Sequence, residues 1–341
     1  MVTENISTSL CSSSRSFRLI KLPANVRLYR WLIRNKFVAL IRRLYDLLCL
    51  CALRIKADGT FELGDNKRRV RFDGRNGQFH SIYDDCYKAG YEPETTELLK
   101  LICKGNGTFV DVGANWGYFS LFAAILPEFN GKCVAFEPNP DVFADLQRTV
   151  AQAFLGDKIS ARNLGLGKES GLLVLENADE FRTGLVRLLP TGSGRRVPVK
   201  RLDDCQIDNP LLIKIDAEGM ESEILEGARG VIESTKPFII VENFLNFSDP
   251  EKTLSSISVL EASGYLIYNP CLKFEVNEQC LISSYGDPIS DLLLQKRPYC
   301  INLIPVTKVN RYIMRQQLNL FACHKDRLNE VTSDYLCVES L

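Results

Sequence analysis

From Gly107 onward the chain alternates between two kinds of segment. TFVDVGA, KCVAFEP, KISARNLGL, PLLIKIDAEG and PFIIVENF are short strings rich in Val, Ile, Leu and Phe, most of them closed by Gly, Pro or an acid. Between them, YFSLFAAIL, DVFADLQRTVAQAF and residues 220–233 carry apolar residues at three- and four-residue spacing. The first kind reads as buried strand and the second as helix. Their alternation predicts βαβ units and an α/β fold around a doubly wound, mostly parallel sheet. Two short strands are expected at about 172–176 and 196–200. A helix over about 251–263, a strand at Tyr265–Tyr268 and a late strand at Asn302–Val306 complete the pattern.

The flanks read differently. Residues 58–90 alternate short apolar runs with Gly and Asp, as lead-in hairpin strands do. A helix over about 93–103 follows, with Pro93 at an allowed first-turn position. Residues 1–27 are Ser-rich and expected to be loose, and residues 28–57 read as helix. The closing RYIMRQQLNLFACHKDRL reads as a basic helical tail. This divides the chain into an extension (1–57), a main domain (58–306) and a tail (307–341).

Charge sharpens that division. The 42 Lys and Arg balance 42 Asp and Glu, which argues against a chain-wide nucleic-acid binder. The balance hides a split, because residues 1–57 hold eleven basic residues against two acids. Within 28–56, Arg30, Arg34, Lys36, Arg42, Arg43 and Asp46 interrupt the apolar run too often for a spanning helix. Two readings stand: a helix lying on an anionic membrane surface, or one packing its apolar face on its own domain. The twelve cysteines include no C-x-x-C pair and read as small buried hydrophobes in a reducing compartment. The N-terminus has no apolar signal region, so the expected location is cytoplasmic, with a peripheral seat on the inner membrane surface under the first reading.

The strongest chemical signal is TFVDVGANWGYFS, a buried strand ending in Asp111 and a turn opening a helix. Gly113-x-Asn115-x-Gly117 is neither a dinucleotide fingerprint nor a phosphate loop. Pyrophosphate favours bare N–H groups with no carboxylate in the way, whereas Asp111 suits a cationic or hydrogen-bond-donating ligand. Twenty-four residues after Gly113 the next strand ends in Glu137, placed to accept from ribose hydroxyls. Together these fit an adenosine carrying an amino acid and a sulfonium, which is S-adenosyl-L-methionine.

With YEPETTELL, VDVGANWGYFS, AFEPNP, LLIKIDAEGMESEILEGA and FIIVEN in this order, the chain resembles the FkbM-type methyltransferases, a class I S-adenosylmethionine-dependent family. The resemblance covers about residues 83–306. It departs at Ala217, where the family usually has Val. It implies a Rossmann-like sheet of about seven strands, the last antiparallel, with Asp111, Gly113, Ala114, Asn115, Gly117 and Glu137 on the cofactor and Asn163 and Leu164 at the adenine edge. It also implies O-methylation of a hydroxyl on a sugar, glycoconjugate or secondary metabolite. A catalytically silent cofactor-binding sensor or scaffold is the alternative.

Two further acids end strands at the ligand side, Asp216 and Glu242. In one reading Asp216 or Glu218 is a general base. In another, Asp216, Glu242 and Asn243 hold Mg²⁺. A third leaves Glu218 and Glu221 capping the following helix. No N-P-P-Y or D-P-P-Y string follows this strand, which argues against methylation of adenine or cytosine amines. His80 reads as a lead-in strand residue. The stretch 177–197, with Arg182, Arg187, Arg195 and Arg196, is expected to set specificity together with the C-terminal third.

Overall fold

The computed structural model describes residues 17–21, 58–64, 68–73, 91–177, 186–276, 279–283, 299–331 and 336–338. The helix expected over 28–57, its membrane reading, His80 and Arg182 lie outside the described residues. Among the described residues no helix is long and apolar enough to cross a membrane.

Three antiparallel strands come first, β1 (Phe17–Lys21), β2 (Asp58–Leu63) and β3 (Arg68–Asp73). The 1–27 segment therefore contains a strand where a loose chain was expected. Phe61, Leu63 and Val70 are buried in the main core.

Helix α1 (Pro93–Ile102) leads into β4 (Thr108–Val112), α2 (Tyr118–Ala124), β5 (Lys132–Phe136), α3 (Pro140–Gln152) and β6 (Ile159–Arg162). A small four-stranded sheet follows: β7 (Gly165–Leu166), β8 (Gly171–Asn177), β9 (Val186–Leu189) and β10 (Arg195–Lys200). The chain then returns through β11 (Pro210–Ile215), α4 (Glu221–Gly227), α5 (Arg229–Thr235), β12 (Phe238–Phe244) and α6 (Pro250–Ala262). It closes with β13 (Tyr265–Val276), β14 (Gln279–Ser283), β15 (Tyr299–Pro305), β16 (Gln317–His324) and β17 (Leu336–Val338). Helices α3 and α6 start as their sequences demand, with Asn139 and Asp249 accepting backbone N–H groups ahead of Pro140 and Pro250.

The main sheet runs β17-β15-β13-β16-β12-β11-β4-β5-β6, with β14 paired to β13. Its seven strands from β6 to β13 form the expected core, parallel except for β16, which is antiparallel to both neighbours. The sheet is nonetheless ten-stranded and mixed, because β14, β15 and β17 extend it beyond β13. Helices α1–α3 pack on one face and α4–α6 on the other, giving two cores.

Two expectations need correction. The segment 220–233 is two helices broken at Ala228, where Gly227 lies so close to the Gly167 carbonyl that a Cβ would sit 2.0 Å from it. The tail is not helical: QLNLFACH forms β16 in the middle of the sheet. Leu318, Leu320 and Ala322 enter one core, Phe321 and Cys323 the other. A strand apolar on both faces lacks the alternation that distinguishes it from helix.

Candidate active site

Strand order reverses between β4 and β11, and the carboxyl ends of these strands open a crevice of the kind that binds ligands in doubly wound sheets. The turn after β4 is dictated by close approach. Gly113 has φ +77° and a Cβ there would lie 1.8 Å from the Asp216 carbonyl oxygen. Gly117 has φ +96° and would strike Leu146 at 2.6 Å. The Gly113 and Ala114 N–H groups both donate to the Phe136 carbonyl at 3.0 Å, which ties the turn to the end of β5.

At that end Glu137 is buried. Its Oε2 accepts from the Asn115 N–H (3.0 Å) and its Oε1 from the Asn139 N–H (2.8 Å). Burial lifts its carboxyl to about 7, against the pull of these two N–H groups. Gly113, Asn115, Glu137, Leu164, Asp216, Ala217, Glu218 and Met220 line a narrow cleft of about 70 Å³, to which β9 contributes Leu188. Asn163 is not on its wall; its amide donates to the Glu137 and Pro138 carbonyls at 2.8 and 3.1 Å and so holds the Glu137 turn. Asp111 also stands behind the wall, fully buried, with Oδ2 accepting from the Ser120 hydroxyl (2.7 Å) and Oδ1 without a partner. Burial raises its carboxyl, opposed by the Lys214 charge.

Lys214 was not singled out from the sequence, although a lysine inside the apolar string LLIKI is a visible anomaly. It is 2% exposed, its Nζ lies 2.9 Å from Asp216 Oδ2, and it sits 4.6 Å from the centre of the Phe119 ring. Burial works to lower its pKa, but Asp216, Glu92 and Asp111 together outweigh it and keep the ammonium charged. Lys214 pairs in register with Asp111 on β4, and both face α2.

Asp216, Glu218 and Glu242 bring carboxylate oxygens within 4.8 Å of one another. Glu242 is 5% exposed, accepts from the Gln317 side-chain amide, and leaves Oε2 without a hydrogen-bond partner. Burial, and then the neighbouring Asp216, raise its carboxyl well above the usual range, which favours the protonated form. Asn243 does not belong to this group. Its amide donates to the Thr253 carbonyl (2.8 Å) and its Oδ1 accepts from the buried Arg311. Neighbouring strand residues point to opposite faces, so Glu242 and Asn243 cannot share a ligand from inside β12. Glu221, not Glu218, caps the following turn, accepting from the Ala217 and Gly219 N–H groups at 3.2 and 2.9 Å.

A second, larger cavity of about 490 Å³ is lined by Glu92, Thr95, Asn269, Arg315, Gln317 and Asn319 among others, and its Gln317 is the donor to Glu242. None of these was named as a site residue from the sequence; Glu92 lies in the YEPETTELL string, and the β16 residues lay in the supposed helical tail. A third cavity of about 430 Å³ places Arg195 near Asp141 and Glu176 at the small sheet.

Residues 111–267 match the family described as the methyltransferase FkbM domain. The hexuronic acid methyltransferase AglP of Haloferax volcanii is 28% identical over 154 residues, 44% of this chain. The chain spans 62% of the length of that curated relative. Among solved structures, methyltransferase FkbM from Methylobacillus flagellatus is 20% identical, with a TM-score of 0.38 over 57% of this chain and 48% of the other. Aeropyrum pernix fibrillarin, solved with natively bound S-adenosyl-L-methionine, is 12% identical, with a TM-score of 0.38 over 77% and 93%.

Proposed function

From a chain that carries an FkbM-type methyltransferase domain over residues 111–267, we propose an S-adenosylmethionine-dependent enzyme that methylates a hydroxyl on a sugar or glycoconjugate. The observation that carries the reading is the line of side chains that joins the two cavities. Asp216 and Glu218 line the narrow cleft and also form the acid group with Glu242, whose partner Gln317 lines the larger cavity.

The residues of the narrow cleft fit the cofactor. Glu137 offers a carboxylate to a ribose diol, Leu164, Met220 and Ala217 an apolar face to adenine, and Asp216 with Glu218 negative charge to an ammonium or sulfonium. Adenosine needs more room than the cleft now gives, and Leu188 is the side chain expected to yield. When bound, the cofactor supplies an electrophilic methyl group. This chain's contribution is alignment of acceptor with methyl group and removal of a proton. The hexuronic acid named for the relative supports a sugar acceptor. Lys214 as counter-ion to Asp216, and burial that favours the protonated form of Glu242, offset the charge of the acid group without Mg²⁺.

Calorimetry with S-adenosylmethionine and the full chain tests the reading. Binding that is lost in Glu137→Ala supports it, and binding unchanged by that substitution overturns the cleft assignment. Label transfer from methyl-tritiated cofactor separates an enzyme from a silent binder.

A further inference from the structure

We propose that the larger cavity is the acceptor site, that it takes an acid-bearing sugar, and that Glu92 is the base that removes the proton of the hydroxyl being methylated. This rests on reading the narrow cleft as the cofactor site.

At about 490 Å³ the cavity falls within the roughly 300–1,000 Å³ usual for small-molecule sites. Its chemistry is that of a carbohydrate pocket. Asn269, Gln317 and Asn319 present side-chain amides, whose N–H groups hold Cys271, Glu242 and Glu92 and whose carbonyl oxygens can accept from hydroxyls. Tyr91 supplies an aromatic face, and Arg315 a guanidinium suited to a carboxylate. Gln317 on its wall donates to Glu242, whose carboxylate groups with Asp216 and Glu218 of the cofactor cleft.

Glu92 is built into this position at a cost. It precedes α1 with φ 43° and ψ 69°, a left-handed conformation that is strained for a non-glycine residue. The Asn319 amide holds its Oε2 at 2.7 Å. The charged and titratable groups around it are Lys214, Asp216, Tyr91 and Tyr118, with the Thr95 hydroxyl beside it. Burial raises its carboxyl to about 7, with Lys214 opposing and Asp216 adding to the rise. A base near neutrality is both ionised and proton-accepting at working pH. In the step, the acceptor oxygen forms a bond to the methyl carbon. The carbon–sulfur bond breaks and its electron pair stays on sulfur, leaving the neutral thioether. The hydroxyl proton passes to the Glu92 carboxylate and then to water.

The test uses the full chain, methyl-tritiated S-adenosylmethionine, and two probes, methyl β-glucuronide and methyl β-glucoside. Expected are label transfer to the glucuronide, a kcat at least about 100-fold lower in Glu92→Gln, and an unchanged cofactor Kd by calorimetry. The limb of the pH–rate profile near 7 should vanish in that variant. Arg315→Ala should raise KM for the glucuronide and leave KM for the glucoside alone. Saturation-transfer NMR without cofactor should show glucuronide binding that Arg315→Ala weakens. Should Glu92→Gln fail to fold, Asn319→Asp serves: a second carboxylate beside Glu92 should move the limb to higher pH. Wild-type kcat or an intact limb in Glu92→Gln, an unmoved limb in Asn319→Asp, or loss of cofactor binding in Glu92→Gln overturns the role of Glu92. A wild type that binds cofactor but labels neither glycoside overturns the acceptor class. A wild type that binds no cofactor fails the underlying reading instead.

Discussion

The Asn319 side-chain amide donates to Glu92 across 2.7 Å, joining two residues 227 positions apart in the chain. Asn319 also stands opposite Glu242 in the β12–β16 register. One strand-facing amide thus links the start of α1 to the acids at the end of the parallel sheet.

Gly113 tolerates no side chain. In Gly113→Ala the new methyl group meets a carbonyl oxygen at 1.8 Å and the backbone keeps φ +77°. Stability should fall by more than about 2 kcal/mol, and S-adenosylmethionine binding should disappear. Urea unfolding and calorimetry measure the two effects. A variant of wild-type stability contradicts the packing described.

The affinity for S-adenosylmethionine should rise with pH. Ribose hydroxyls donate to the ionised form of Glu137, whose carboxyl is lifted to about 7. If only that form binds, Kd improves about tenfold between pH 6 and pH 8. Glu137→Gln should remove the dependence; an equally steep slope in that variant would place the titrating group elsewhere.

Folding stability should move the other way. Glu92 and Glu137 both have folded-state pKa values raised to about 7. The folded state therefore holds their protons more tightly than the unfolded chain. This stabilisation is complete below about 4.5 and is lost as pH rises through about 7. Thermal melting of the cofactor-free protein should rise by several degrees from pH 7.5 to pH 5.5, and Tm should change less in Glu137→Gln. A flat profile would mean these carboxyls are not shifted.

Lys214 balances the surrounding acids. Lys214→Met keeps the volume and removes the charge, leaving Asp216 and Asp111 without their counter-ion. A loss of about 3–5 kcal/mol is expected in denaturant titrations. A near-neutral result would show that these acids do not depend on the Lys214 charge.

Chelation separates the two accounts of the acid group. With Lys214 on Asp216 and burial favouring the protonated form of Glu242, EDTA should leave label transfer unchanged. Loss of activity restored by Mg²⁺ would instead assign Asp216, Glu218 and Glu242 to a metal.

Much of this was legible in one dimension. Gly113, Gly117, Asp111 and Glu137 sit at strand ends and turns, where local backbone needs and the spacing of βαβ units constrain residue type. The strand–helix rhythm set the doubly wound class for the same reason. β16 was not legible, because a strand buried on both faces carries no alternation to separate it from helix. The break at Ala228 was hidden as well, since it follows from the approach of Gly167, sixty residues away in the chain.

By itself, then, the sequence determined the fold class, the glycine turn and the strand-end acids, all of which depend on neighbours within a few residues. Only the tertiary structure decided which acids meet and what they meet. The pleat turned Asn243 away from Glu242 and toward Arg311 on the opposite face. Sheet order set Lys214 beside Asp111, and the antiparallel return of β16 carried Gln317 to Glu242 and Asn319 to Glu92. Such pairings join residues far apart in the chain, and no local spacing encodes them.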